Sequence, residues 1–230
     1  MRPIGVYFSP ASRDYDADDF LPAYRGALVL LLQAHREFQV VTPRTLAAFH
    51  GEKLLLPSVS VLGEGELKVL REYTENGGRL VITGKNATGM GASGQVREFV
   101  DDPGKKYFAE LQKDFSAASG KMPGEFLRSL EVTSEMTVDG PPTVAVNMAR
   151  VDGAPHAFLA NFGGLMPAKV AQPTPVPGIH VRIPAAAGNT LVFLPFLGKQ
   201  QIVKGVPLGE KIEFALPVVE RGAVLWVEKQ

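Results

Sequence analysis

Residues 53–89 read KLLLPSVSVLGEGELKVLREYTENGGRLVITGKNATG, and their pattern decides the fold. Leu54, Leu55 and Leu56 form a short apolar run that ends at Pro57, the pattern of a strand buried on both faces. A loop through Val59 to Leu62 follows. Glu64 and Glu66 then stand where the positive end of a helix favours acids, and Leu67, Leu70 and Tyr73 recur at helical spacing. Asn76-Gly77-Gly78 stops that helix, because glycine enters the left-handed region without steric penalty. Leu80, Val81 and Ile82 resume a buried strand. Strand, helix and strand at this length predict a βαβ unit with parallel strands and a right-handed crossover.

Toward the N-terminus, Ile4 to Phe8 predicts another buried strand, and Ser9 to Tyr15 a polar loop at its carboxyl end. Leu21 to Arg36 reads as a helix, apolar nearly all round through Leu28 to Leu32 and therefore covered on two sides. Phe38 to Val41 predicts a second strand, and Pro43 opens a helical turn through Phe49. Toward the C-terminus the periodicity fades after Gly89. Gly91, Gly94 and Asp101-Asp102-Pro103-Gly104 read as a long surface excursion. Lys105 to Phe115 predicts a helix with Phe108, Leu111 and Phe115 on one face. Ser116 to Gly124 reads as a linker, and Phe126 and Leu127 as the start of a short helix.

From Val132 the segments become short and β-like, separated by Pro and Gly. Thr143–Met148, Ala157–Phe162, Ile179–Ile183, Leu191–Phe196, Ile212–Leu216 and Ala223–Val227 all fit strands. In one of them Ile212, Phe214 and Leu216 share a face, with Glu213 and Ala215 on the other. Repeated short strands with turn signals predict an antiparallel sandwich. The fold class is therefore α/β plus β: a parallel-sheet α/β domain over residues 1–128, then a small antiparallel β-sandwich over 129–230.

Apolar residues make up 45% and charged residues 21% of the 230, an ordinary globular balance. The 24 basic and 24 acidic residues cancel, which points away from nucleic acid or an anionic membrane surface as partner. No run of 18 apolar residues suggests a membrane span, and Met1 to Tyr7 carries no apolar signal region. Cysteine is absent, which excludes disulfides, thiolate metal ligands and a cysteine nucleophile.

Ligands of open α/β sheets bind beyond the carboxyl ends of the strands. That rule selects Ser9, Ser12 and Arg13 on the first such loop and Lys85 and Asn86 on the later one as the edge of any ligand pocket. None of these is a nucleophile with an evident base, so no catalytic residue is assigned. Gly84 to Gly89 could cradle an anion on backbone N–H groups, but lacks the spacing of a phosphate-binding P-loop. Asp14, Asp16, Asp18 and Asp19 begin like a calcium loop. Asp19 then stands where the turn needs glycine and Arg25 where a bidentate Glu is needed. The cluster therefore reads as a solvated loop in which Asp18 or Asp19 caps the next helix.

His35 lies near a helix C-terminus, where positive charge is favourable. His50 closes a short helix, and His156 and His180 fall on predicted strands facing outward. No pair has metal-ligand spacing, so neither a metal nor a cofactor is expected. No Gly-x-Ser-x-Gly elbow is present. Trp226, the single tryptophan, is a sugar-stacking candidate, although a lone strand tryptophan more often anchors a core or an interface.

The stretches IGVYFSPASRDY, LPAYRGALVLLLQAHREFQVVTP and KLLLPSVSVLGEGELKVLREYTENGGRLVITG resemble the class I glutamine-amidotransferase-like module known as the trimerisation domain of family 42 β-galactosidases. In that family a flavodoxin-like domain follows a catalytic (β/α)8 barrel and precedes a small β-sandwich, which residues 132 to 228 resemble in style. The barrel with its two catalytic carboxylates does not fit within 230 residues. An amidotransferase would also place a cysteine at an elbow near Gly84 and Lys85, and none exists here. The resemblance thus implies a non-catalytic accessory module: a fragment of a larger glycosidase-like protein, or a stand-alone relative. Its expected partner is a second copy of itself or a catalytic barrel of the same protein. A carbohydrate-binding module is the alternative, and a small hydrolase with an unrecognised site the third.

Overall fold

Five parallel strands, β1 (Ile4–Tyr7), β2 (Phe38–Val41), β3 (Lys53–Val59), β4 (Arg79–Asn86) and β5 (Val96–Phe99), hydrogen-bond in the order β2-β1-β3-β4-β5. The computed structural model describes residues 3–113, 120–166 and 169–228. Phe115 and residues 116–119 of the expected linker lie outside the described residues. Two compact units are present, Met1–Leu31 with Phe38–Thr133, and Leu32–Glu37 with Ser134–Gln230.

In the first unit, alternation along the strands sorts the core into two layers. Ile4, Val6, Leu55 and Val81 pack with Ala27, Leu30 and Leu31 of helix α2 (Ala17–Gln33), Tyr107 of helix α4 (Pro103–Lys113) and Phe126 of helix α5 (Gly124–Ser129). Leu54, Leu56, Leu80 and Ile82 face the other way, toward Leu70 of helix α3 (Glu64–Glu75) and toward Leu46 and Phe49 of the turn between β2 and β3. The triple leucine thus feeds both layers, and the strand order is that of flavodoxin-like folds.

Several expectations need correction. Ser9 to Tyr15 is not a loop. Pro10–Tyr15 form helix α1, because Ser9 caps it by accepting from the Ser12 N–H and Pro10 suits the first turn. The next helix starts at Ala17, so Asp18 and Asp19 lie in its first turn and do not cap it. β3 continues through Pro57 to Val59, and β4 through Thr83 to Asn86. The stretch after Gly89 is no continuous excursion, since Val96–Phe99 add a fifth strand at the sheet edge.

The second unit holds two antiparallel sheets. One has the order β11-β10-β14-β8-β7, from β7 (Val144–Val151), β8 (Ala154–Asn161), β10 (Thr190–Pro195), β11 (Gln201–Lys204) and β14 (Gly222–Val227). The other runs β12-β13-β9-β6, from β6 (Thr137–Asp139), β9 (His180–Pro184), β12 (Val206–Leu208) and β13 (Lys211–Ala215). Ile212, Phe214 and Leu216 are buried on one face as the alternation predicts. β6, β11 and β12 escape the sequence reading because they are three or four residues long, and β11 and β12 are largely exposed edges.

His35 also departs from expectation. It lies beyond the end of α2 with φ 55, is buried, and places its ring nitrogens 3.2 Å from the Val138 carbonyl and 2.8 Å from that of Val144. Burial pushes its pKa below the ordinary 6.5, although both carbonyls favour the charged ring. A depressed folded-state pKa means that the unfolded chain binds the proton first. The stabilising contribution is therefore present above pH 6.5 and is lost as pH falls toward the folded-state value. Stability measured by urea unfolding should drop between pH 7 and pH 5. His35→Asn, which tolerates the left-handed backbone, should flatten that slope. An unchanged slope in the variant would show that His35 does not titrate with unfolding.

Candidate functional site

At the carboxyl ends of β3 and β4 two residues enter the left-handed region, Ser58 with φ 43 and Gly84 with φ 62. Pro57 lacks the N–H that a strand interior needs, and the β3–β4 register shifts between Pro57 and Val59. Ser58 is the residue that absorbs the shift. A Cβ on Gly84 would stand 2.3 Å from the Ser58 Oγ. Position 84 therefore requires glycine for space as well as for its backbone. A left-handed serine costs about 1–2 kcal/mol and persists only where its surroundings fix it.

Asp102 does the fixing. Its Oδ2 accepts from Thr83 Oγ1 at 2.5 Å and from Ser58 Oγ at 3.4 Å, and its Oδ1 accepts from the Lys105 N–H at 2.7 Å. That last bond makes Asp102 the N-cap of α4, with Pro103 at the first helical position. Burial pushes the Asp102 carboxyl above its ordinary value, and the Asp19 charge adds to the effect against the three donors. Asp19 itself is held low. Burial alone would raise it, but the Lys105 ammonium, the Ser58 hydroxyl and Lys85 more than offset that.

These groups line an open cleft of about 610 Å³, with Asp19, Ser58, Gly84, Lys85, Asp102 and Lys105 among its walls. Lys85 pairs with Asp16 and lies 3.9 Å from Asp19, and Lys105 pairs with Asp19. The aspartates at the start of α2 are thus not a merely solvated loop. Asp16 and Asp19 are partly buried and joined to lysines on β4 and α4. A second cavity, about 380 Å³, opens at the amino edge of the sheet beside Phe49, His50 and Tyr73.

Of the residues that the sequence selected, Lys85 lines the cleft. Ser9 and Ser12 are fully buried instead. Ser12 Oγ accepts from the Ser60 and Val61 N–H groups at 3.1 and 3.0 Å, and both hydroxyls donate to the Val61 carbonyl at 3.2 Å. They join the segment after β1 to the segment after β3, at the point where the strand order reverses. Arg13 is exposed, bonded to Asp14 at 2.8 Å and standing 5.7 Å over the Phe8 ring. Asn86 organises its own loop: its amide donates to the Met90 carbonyl and Glu98, and its Oδ1 accepts from the Thr88 N–H and hydroxyl. The N–H groups of Ala87 and Thr88 are engaged by the Val59 carbonyl and by Asn86, and that of Met90, just beyond, by the Thr88 hydroxyl. An anion cradle between Gly84 and Gly89 would need the first two free.

Trp226 belongs to the second unit. It lies on the face of β14 opposite the buried Leu225 and Val227. Its ring is 5.5 Å from that of His156 at 17°, and His156 is 6.4 Å from Phe158 at 23°. Among the described residues no group of three or more acidic or histidine side chains is arranged to hold a metal ion. No helix among them is long and apolar enough to cross a membrane.

The sequence matches no protein-family profile and no curated protein. Solved structures share its fold. The α-L-fucosidase isoenzyme 2 from Paenibacillus thiaminolyticus matches all of this chain over 49% of its own length, with a TM-score of 0.67 at 10% identity. The β-galactosidase from Bacillus circulans sp. alkalophilus matches 98% of the chain over 41% of its own, with a TM-score of 0.54 at 9% identity. The rhamnosidase from Novosphingobium sp. PP1Y matches 99% over 22%, with a TM-score of 0.52 at 12% identity. The chain spans half or less of each of these proteins. At such identities the likeness is one of fold.

Proposed function

We propose that the chain is a non-catalytic accessory module of a glycoside-hydrolase-like protein, serving assembly or packing beside a catalytic domain. The observation that carries this reading is the extent of the fold match. Both units, in order and end to end, correspond to about half of a fucosidase and smaller parts of two other glycosidases. The cleft chemistry agrees with it. Ser58 donates its hydroxyl to the helix-capping Asp102, and no histidine is among the residues lining the cleft, so the serine–histidine pairing that commonly activates such a nucleophile is missing from this lining. Self-association is the natural form of assembly, and a net charge of zero does not oppose it.

Light scattering over a concentration series tests the proposal. The expected result is a mass that rises with concentration toward three times that of the chain, with no turnover of chromogenic aryl glycosides at any concentration. Turnover that disappears in Ser58→Ala would overturn the non-catalytic reading. A mass that stays at one chain throughout would overturn self-assembly.

A further inference from the structure

We propose that the cleft above Ser58 and Gly84 binds a neutral polyhydroxylated ligand, a monosaccharide unit or a cyclic polyol, between its carboxylate and ammonium groups. The sheet offers two openings at its carboxyl edge. The crevice beside β1 and β3, where strand order reverses and such folds usually bind ligands, is closed by the buried Ser9 and Ser12 hydroxyls. The space left open lies one strand further along, over β3 and β4, and at about 610 Å³ it falls within the roughly 300–1,000 Å³ of small-molecule sites.

Charge selects the ligand class. Asp19, Asp101 and Asp102 oppose Lys85, Lys105 and Lys106 along the walls, three of each sign. The lysines are paired as well: Lys105 with Asp19, Lys85 with Asp16, and Lys106 with Asp101 at 2.6 Å. An anion would meet ammonium groups already neutralised, and a cation would meet Asp19 and Asp101 in the same state and Asp102 buried and already occupied by three neutral donors. A hydroxyl group both donates and accepts, so it can bridge a carboxylate and an ammonium without separating them. Each pair retains unused capacity for this, since an ammonium has three donors and a carboxylate about four acceptor positions. Vicinal hydroxyls on a ring repeat the arrangement twice. Val100, 87% exposed, and Ala109 add an apolar lip for the C–H face of such a ring.

The floor is fixed in advance. Ser58 is held in a strained conformation by Asp102, which is itself locked to Thr83 and the start of α4. Strain of this kind concentrates at binding sites. The aromatic row of Trp226 is a weaker place for a sugar, because its near-parallel rings face one another.

The test is a ¹H–¹⁵N chemical-shift titration of the full chain with methyl β-D-galactopyranoside, methyl α-L-fucopyranoside, myo-inositol and, as a charged control, inorganic phosphate. At least one neutral probe should saturate with a Kd of about 1 mM or weaker, as the efficiency of small polar ligands implies. The shifts should centre on Ser58, Gly84, Lys85 and Asp102 to Lys105. Lys85→Met and Asp19→Asn should each weaken binding at least tenfold, whereas Trp226→Ala should leave it unchanged. Lys85 is half-exposed, so its substitution tests the cleft without endangering the core. Failure of every neutral probe to saturate would overturn the proposal. So would preferential saturation by phosphate, or sugar binding that survives both cleft substitutions and is lost in Trp226→Ala. Binding does not depend on the oligomeric state, so light scattering and this titration can fail separately.

Discussion

Gly26→Ala should destabilise the first unit by about 2–3 kcal/mol, even though alanine is the better helix former by about 1 kcal/mol. Gly26 lies inside α2, where a Cβ would stand 1.9 Å from the Gly104 carbonyl oxygen and 2.4 Å from its carbon. The obstacle is backbone, so no side-chain rotation relieves it. Gly104 is confined from its side too, though less tightly, with the Ala27 nitrogen 2.8 Å and the Ala23 oxygen 3.0 Å from its own would-be Cβ. The two helices therefore touch backbone to backbone. Any side chain at position 26 must push α4 away, and with it Asp102 at its N-cap, the anchor of Ser58. Gly65→Ala is the matched control. Gly65 also lies in a helix, but nothing stands within 4 Å of its would-be Cβ, and that variant should be neutral or slightly more stable. Denaturant unfolding of both variants checks the contrast. If Gly26→Ala were as stable as the parent, α2 and α4 could not be packed this closely. Its effect should also reach the cleft, weakening ligand binding there through the displaced Asp102.

The parts of the fold that could be read from sequence are those in which local pattern and burial coincide. β3, α3 and β4 combine apolar strands buried on both faces, acids at a helix start and a Gly-Gly stop, all within one contiguous segment. β5 was hidden because Val96-Arg97-Glu98-Phe99 is an edge strand with one fully buried residue, so it lacks the apolar run of its neighbours. Helix α1 was hidden for another reason. Ser9-Pro10 is a sound helix start, yet the composition of the segment is that of a loop, and its six residues show no apolar face. The candidate site follows the same division. The rule that ligands gather at strand ends singled out Lys85 directly. Ser58, Asp19, Asp102 and Lys105 come together only through long-range contacts, 44 residues apart for Ser58 and Asp102 and 86 for Asp19 and Lys105. Asp102 did carry a signal, since Asp-Pro is an N-cap followed by a first-turn proline, but Gly104 after it made the segment look like a turn. Nothing local marks Ser58. Its left-handed backbone arises from the bulge after Pro57, and serine has no special preference for that region.

Asn161→Ala should have the largest effect in the second unit, about 2–3 kcal/mol, because it removes a buried side chain that holds the Gly163 N–H and shares its two N–H donors among three backbone carbonyls. Asn161 ends β8 with 4% exposure. Its amide donates to the carbonyls of Thr174 at 2.8 Å, Val219 at 3.2 Å and Glu220 at 2.8 Å, and its oxygen accepts from the Gly163 N–H at 2.8 Å. One side chain thereby joins the start of the loop after β8, a point further along that loop and the segment entering β14. A hydrophobic replacement leaves the buried Gly163 N–H without its acceptor and the Thr174 and Glu220 carbonyls without this donor, while the Val219 carbonyl keeps the Val176 N–H. Asn161→Asp separates geometry from hydrogen bonding. The shape is kept and the Gly163 bond survives, but a carboxylate would face three carbonyl oxygens with nothing to donate. At pH 7 this variant should be at least as damaged as the alanine one. Toward pH 4 it should recover part of the loss, because a protonated carboxyl regains one donor. In sign, the introduced carboxyl has a folded-state pKa raised above its unfolded value, so the variant's stability is fullest below the unfolded pKa and falls as pH rises through the folded one. Amide hydrogen exchange should quicken first at Gly163, Thr174 and Val219, whose N–H groups belong to the segments that Asn161 joins. Equal stability of the aspartate variant at pH 4 and pH 7, or protection unchanged at those three amides, would show that the loops are held by something other than this side chain.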